Sequence, residues 1–578
     1  MNQRAKSILF WTVLTVTAVA IYLVGRPLAA QQPPADLILI NGRIVTADDA
    51  RPEAQAMAVR GDTIAALGTT AEMQALAGPN TKVIDLKGQL AIPGFIEGHG
   101  HFTGLGEGLM NLNLMPMKSW QEIVDAVGRA AAAAKPGQWI VGRGWHQEKW
   151  TSTPNPNVEG FPTHESLSRV SPNNPVVLTH ASGHASFVNA KAMELSAITR
   201  DTANPAGGEL LHDAKGNPTG LLRETAARLV RRGVGEPAPT EEERTARALQ
   251  GIELATQEAL SKGVTSFQDA GSGFETVDML KKLVDEKKLG IRLWVMLRVG
   301  NESLSQRIKD YKIVNYGDKR LTVRAIKVSI DGALGPRGAW LLEPYADKPD
   351  SRGLNTTSIE SATRTAQIAL EHGFQLCIHA IGDRANREVL DIYEKAFKGS
   401  NINGRDLRWR IEHAQHISPA DIPRFGQLGV IASMQGIHAT SDAPYVLQRL
   451  GEDRARSGAY VWQGLMKSGA LVMNGTDVPV EDIDPIASFH ASVARQMQDG
   501  GVFFTEQRMS RLEALKSYTI NNAMGAFEED IKGTLTPGKL ADITVLSKDI
   551  MTVPEAEIRQ AKVVYTIVGG KVVYETGK

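Results

Sequence analysis

"PGFIEGHGHF", residues 93–102, follows a run ending in Leu90, Ala91 and Ile92. An extended chain alternates its side chains between two faces, so His99 and His101 point the same way. Two imidazoles on one side of a strand end can grip a metal ion. An isolated H-x-H also occurs in turns that hold no metal, so its meaning depends on what the rest of the chain places beside it.

Eight apolar, strand-like runs punctuate the chain from this point: "AIPGFIEGHGHF", "GVTSFQDAG", "IRLWVML", "VRAIKVSIDG", "FQLCIHAIGD", "RWRIEHAQ", "GVIASMQ" and "ALVMNGTDVPV". They are short and rich in Val and Ile, as parallel strands buried on both faces should be. Helix-like stretches such as "SATRTAQIALEHG" and "REVLDIYEKAFKG" fall between them. Eight strand–helix units predict an α/β fold built on a (β/α)8 TIM-like barrel. The spacing is regular except after the first run. There, about 103–260 is too long for a plain loop and predicts an insertion.

Short alternating β segments flank this central region at 35–91 and at 533–578. Asn41-Gly42, Arg60-Gly61-Asp62 and Lys87-Gly88 supply turn chemistry between the N-terminal segments. Each flank alone is too small to bury a core, so the expectation is one composite β-sandwich built from both chain ends. The expected organisation is therefore 35–91 and 533–578 as the two parts of the sandwich, around a (β/α)8 barrel at 92–532.

At 578 residues the chain exceeds one ordinary core. Formal net charge is zero and no basic block lies outside the extreme N-terminus, which argues against a nucleic-acid partner. Cys377 is the only cysteine, so no intrachain disulfide can form. Arg4 and Lys6 precede an apolar run at 7–24, followed by small residues through Ala30. That order predicts export, to the periplasm or beyond. Residues 1–30 fit either a cleaved signal or an N-terminal membrane anchor through 7–24.

Barrel active sites lie at the C-terminal ends of the strands. The first run ends in His99 and His101, the fourth carries Lys327, and the fifth ends in His379. The sixth ends in His413 and the eighth in Asp477. Any one of these could be a core or capping residue. Six such residues at five strand ends of one barrel converge on one mouth and compose a metal site.

The pattern resembles the amidohydrolase superfamily of metal-dependent hydrolases, whose entry signature is similar to "PGFIEGHGH". Longer strings resemble one branch, amidohydrolase family 3, which includes the N-substituted formamide deformylases. They are "GRGWHQEKW" (142–150), "SGHASFVNAKAMEL" (182–195), "IKVSIDGALG" (326–335), "IHAIGDRAN" (378–386), "IEHAQ" (411–415) and "GTDVP" (475–479). The resemblance implies that His99 and His101 hold a first metal and His379 and His413 a second. It implies a carboxylated Lys327 bridging the two, and Asp477 as both ligand and proton carrier. One or two divalent ions, with zinc the expected metal, would then serve the site. Carboxylation needs a neutral amine, and burial beside cations lowers a lysine pKa.

The implied activity is hydrolysis of a non-peptide C–N bond, of amide or formamide type, in a small molecule by a metal-activated hydroxide. An ester or lactone substrate, or an exported metal-binding protein without turnover, are the other readings. Two positions depart from the family pattern: His146 stands where an aspartate is frequent, and "PTHESLSR" lacks a frequent acidic residue. His184 is expected either at the substrate or as a buried structural histidine. Trp145, with Trp150 and Phe187, is expected to line the substrate space. Asp331 and Asp383 are expected to fix neighbouring loops and not to ligate.

Overall fold

A computed structural model describes residues 33–577. The N-terminal stretch read as signal or anchor, including the apolar run 7–24, lies outside the described residues.

The eight runs form eight barrel strands: β1 (Phe95–Gly100), β2 (Val264–Ser272), β3 (Arg292–Leu297), β4 (Leu321–Ser329), β5 (Gln375–Ala380), β6 (Arg410–His413), β7 (Ile431–Gln435) and β8 (Val472–Gly475). They pair in chain order and all in parallel. The sheet is nearly closed. At its C-terminal mouth the Asp477 N–H donates to the His99 carbonyl at 2.8 Å, and the His101 N–H donates to the Val478 carbonyl at 2.7 Å. Helices cover the outside. In Asp383–Ser400, Ala385, Val389, Leu390, Tyr393 and Phe397 recur every three or four residues and are buried, which makes one apolar face.

The first run is not one strand. Leu90–Pro93 belongs to a different sheet, and the barrel strand begins at Phe95. Gly94 makes the break. Its N–H donates to the Asp542 carbonyl at 2.9 Å. A Cβ there would lie 2.2 Å from Thr265 Oγ1, so only glycine fits so close to β2.

Leu90–Pro93 pairs antiparallel with Ile543–Leu546, in the register Ile543 to Pro93 and Leu546 to Leu90. The resulting six-stranded sheet takes strands from both chain ends. A four-stranded sheet of N-terminal segments (Ala35–Ile40, Ala56–Arg60, Thr63–Gly68, Ala77–Asp85) accompanies it. Leu37, Leu39, Met57 and Ile84 of this sheet share one apolar cluster with Ala91, Ile543, Val545 and Ile567 of the other.

After β1 come helix Phe102–Met110 and then a six-stranded mixed sheet that runs from Leu112–Asn113 to Pro218–Glu224. This inserted unit has its own core, including Leu114, Ile123, Trp145, Phe161, Leu178 and Phe187. Helix Glu241–Ser261 returns the chain to β2. Phe102, Leu105, Ile252 and Ala259 from the two flanking helices join the barrel's apolar cluster, so the insertion is anchored by barrel packing at both ends.

The barrel and the two-ended sheet are also joined by a buried ion pair. Arg292 Nε donates to Asp542 Oδ2 at 2.7 Å and Nη2 to Oδ1 at 3.1 Å. Both side chains are nearly inaccessible to water. Burial alone would raise the Asp542 carboxyl, but the Arg292 charge overrides it and keeps the acid ionised. Asp542→Ala would strand a buried guanidinium and is expected to cost about 3–5 kcal/mol. Urea unfolding followed by circular dichroism reads this as a lowered midpoint. A midpoint within error of wild type would show that the pair does not hold the two units together.

Candidate metal-dependent active site

The barrel mouth brings the six sequence-predicted residues together. Asp477 sits among the histidines: its Oδ1 lies 3.3 Å from His101 Nε2 and 3.6 Å from His99 Nε2, and its Oδ2 lies 3.9 Å from His413 Nδ1. Lys327 Nζ is 3.5 Å from His99 Nε2. The His379 and His413 rings stand edge to face, with centroids 4.4 Å apart. Donor atoms of His99, His413 and Asp477 all fall within 4.8 Å of one another. This tight group takes members from both halves of the implied ligand set.

Backbone at the site departs from ordinary strand geometry. His413 has φ 77°, Ala414 φ 47° and Asp477 φ 57°. Left-handed conformations at non-glycine residues are costly and persist where their surroundings impose them. They turn the two ligand candidates at the ends of β6 and β8 toward the mouth.

Protonation suits a metal. Burial, then the Lys327 charge, pushes His99 down to about 4. Burial also holds His379 and His413 well below the ordinary imidazole value. Neutral imidazoles are the ligating form. Burial would raise Asp477, but the hydrogen bond from His101 and the other imidazoles keep it well below the usual carboxylate range. Lys327 is pulled down to about 8, by burial first and then by Arg298. His379 Nε2 is buried without a hydrogen bond, with Asp331 Oδ1 3.4 Å away, and remains free to donate to an ion. The donor set therefore fits a divalent metal of the zinc type.

Glu412, not singled out from the sequence, is the residue that orients His99. It meets His99 Nδ1 in a very short contact. Arg410 Nε donates to Glu412 Oε1 at 2.6 Å and Arg410 Nη1 to Gln268 Oε1 at 2.6 Å. All four side chains are buried. The chain Gln268–Arg410–Glu412–His99 frees His99 Nε2 for the mouth. His413 is similarly held, Nδ1 to Gln435 Oε1 at 2.8 Å. The available signal was "RIEH" itself: alternate charged residues on one face of a strand buried throughout.

Asp331 accepts the N–H groups of Trp340, Ile381 and Gly382 at 2.9, 3.0 and 2.8 Å. Asp383 accepts that of Leu342 at 2.8 Å. Both pin loops at the ends of β4 and β5.

Two spaces open at the mouth. One is a cleft of about 870 Å³ reaching His101 and Lys327. The other is an enclosed pocket of about 40 Å³ reaching His379, His413 and Asp477, with His146 on its wall. His184 lines both. Its Nδ1 is 2.7 Å from Glu224 Oε2, and its ring lies 4.9 Å from that of His379. Glu224, also missed from the sequence, reaches it from a backbone at φ 50°.

Trp145 does not line either space. It is fully buried in the core of the insertion, and its indole N–H donates to the Leu178 carbonyl at 2.9 Å. Phe187 and Trp150 pack around the same core. The aromatic residues of "GRGWHQEKW" hold the inserted sheet together, because a ring that large is worth more in a core than at a polar mouth.

A profile described as the amidohydrolase family matches residues 82–574. Protein LONG AFTER FAR-RED 3 of Arabidopsis thaliana is 34% identical over 93% of this chain and 92% of its own length. The N-substituted formamide deformylase of Arthrobacter pascens is 28% identical over 93% of this chain and 98% of its own. The crystal structure of an uncharacterized metal-dependent hydrolase from Pyrococcus horikoshii OT3 superposes with a TM-score of 0.69 at 27% identity. It covers 90% of this chain and 99% of that one. With a family match across most of its length and a metal-binding donor set at the mouth of its barrel, the chain belongs to amidohydrolase family 3 and is a metal-dependent hydrolase.

Proposed function

We propose that the chain is an exported hydrolase of a non-peptide C–N bond, of amide or formamide type, in a small molecule. The observation that carries this reading is Asp477, an ionised carboxylate held among three imidazoles on the wall of the small pocket at the barrel mouth. Amide hydrolysis needs one group that takes a proton from water and returns it to nitrogen, the difficult leaving group. The 28% identical formamide deformylase supports the bond class. Export rests on the charged–apolar–small order of residues 1–30. The four-stranded N-terminal sheet and the six-stranded sheet from both chain ends we read as one composite β-sandwich, with 35–91 and 533–578 as its parts and 92–532 as the catalytic barrel.

His99, His101, His379, His413, Lys327 and Asp477 would hold one or two ions, with zinc the best match to so many imidazoles. When bound, such a cation polarises a carbonyl oxygen and acidifies water. Asp477 accepts the proton of the attacking water and delivers it to the departing nitrogen. His184, fixed through Nδ1 by Glu224, presents Nε2 to the substrate. Lys327, with its ammonium made costly by burial, would add carbon dioxide to its neutral amine, release a proton and so offer carboxylate oxygens to the site.

Asp477→Asn is expected to keep most of the metal and lower turnover by about 10²–10⁴ or more. A panel of N-formyl, N-acyl, ester and lactone substrates, run with elemental analysis and melting temperature on the same preparations, checks both the base and the bond. Wild-type turnover in the metal-replete variant removes Asp477 from the mechanism, and ester-only turnover replaces the bond class. Glu412→Gln breaks the carboxylate that orients His99, so metal affinity should fall about 10–100-fold in competition with a chelating dye. Unchanged affinity would mean that His99 is oriented without it. Intact-mass and crystallographic density at Lys327 are expected to show the added carboxylate in active protein. A bare ammonium in fully active, metal-loaded protein rejects it.

A further inference from the structure

The large cleft at the barrel mouth is lined by three arginines that the reaction does not use: Arg143, Arg228 and Arg298. They come from separate parts of the chain. Arg143 lies on the inserted strand Ile140–Trp145, Arg228 on the short helix Thr225–Leu229, and Arg298 directly after β3.

None of the three forms an ion pair with a carboxylate among the described residues. Arg143 Nη2 donates to the Ala181 carbonyl at 3.1 Å and its Nε to that of Pro479 at 3.4 Å. Arg298 Nη2 donates to Ser329 Oγ at 3.1 Å. These neutral acceptors place the guanidiniums without a carboxylate in direct contact, and Asp477 is the opposing charge that both Arg143 and Arg298 feel most. The two carboxylates on the cleft wall are already engaged, Glu224 with His184 and Asp331 with three backbone N–H groups.

Arg298 is seated deliberately. Gly271, at φ 139°, packs under its stem, and a Cβ there would lie 2.6 Å from Arg298 Cδ. The Arg228 and Arg298 charges are near enough to repel each other. The Arg298 charge is also felt at Lys327, His101 and His184. Like charges gathered on a cleft wall, with no carboxylate paired to them, focus a positive potential that a bound anion relieves. Guanidinium forks match a planar oxyanion in geometry as well as charge.

We propose that Arg228 and Arg298 form an oxyanion-binding subsite, so that the substrate carries a carboxylate, or a similar compact oxyanion, beyond its scissile amide. The inference deepens the hydrolase reading and rests on it for turnover, but the subsite is testable by binding alone. Arg228 and Arg298 are solvent-accessible, so replacing them leaves the core intact.

The kinetic arm compares N-formylphenylalanine, its neutral amide and its phosphonate counterpart on the metal-loaded enzyme. Wild type should prefer either anion to the amide in kcat/KM. Arg298→Gln and Arg228→Gln should each lower that preference about tenfold or more, mainly through KM. Arg244→Gln, on the exposed start of helix Glu241–Ser261, is the control and should leave the ratio unchanged. The carboxylate and phosphonate arms tell which oxyanion fits better. A neutral substrate used as well as the anions, or a preference untouched by both variants, overturns the subsite and leaves the amidase reading standing. If no substrate of the panel turns over, that reading fails, and calorimetry of N-acetylphenylalanine against its amide decides the subsite. Carboxylate binding weakened in both variants supports it, and equal binding in variants and wild type overturns it.

Discussion

The joint between the last and first barrel strands is the constraint on which the site depends. The Asp477 N–H meets the His99 carbonyl, and the His101 N–H meets the Val478 carbonyl. Glu97, buried on β1, accepts the Thr476 N–H at 2.6 Å and the Thr476 hydroxyl at 3.0 Å. Residues from opposite ends of a long chain are thus held at hydrogen-bond distance. A carboxylate just past β8 can reach imidazoles at the end of β1 only because the sheet curls until these two strands meet. Loss of that joint would leave six donors on an open sheet, too far apart to share an ion.

Below the mouth, polar groups lie beside the apolar filling usual inside a barrel, here Ala270, Trp294, Met296, Ala325 and Cys377. Gln268, Arg410, Glu412 and His99 form one buried chain. Burial would protonate Glu412, yet the Arg410 charge and His99 keep it well below the ordinary carboxylate range. An anion stabilised in this way makes His99 a better donor and fixes its ring. The strained backbones at His413 and Asp477 belong to the same logic. The sheet supplies rigidity, and the strain is spent on aiming two side chains inward.

The insertion and the barrel share the walls of the cleft. The insertion, with an aromatic core built on Trp145, Phe161 and Phe187, is a firm wall and not a floppy lid. It contributes His184, Glu224, Arg143 and Arg228 to the cleft, while the barrel contributes the metal donors.

Much of this was legible in the amino-acid order. Eight short Val- and Ile-rich runs at helical intervals signal parallel strands, because burial on both faces removes polar alternation. His99, His101, Lys327, His379, His413 and Asp477 stood out because they end such runs, and strand ends in a barrel share one mouth. Other features were invisible because contact across the chain creates them. "AIPGFIEGHGHF" reads as one strand, and only Asp542 and Thr265, distant in sequence, break it at Gly94. Trp145 reads as a pocket wall beside His146, and only the packed inserted sheet shows it to be core. Glu412 and Glu224 carry no local mark of their task, since a carboxylate becomes an orienting group only when folding sets an imidazole against it. Local order determined which residues could form strands and bind an ion. Tertiary structure decided which partners would hold them, because burial and distance between remote segments are properties of the folded chain alone.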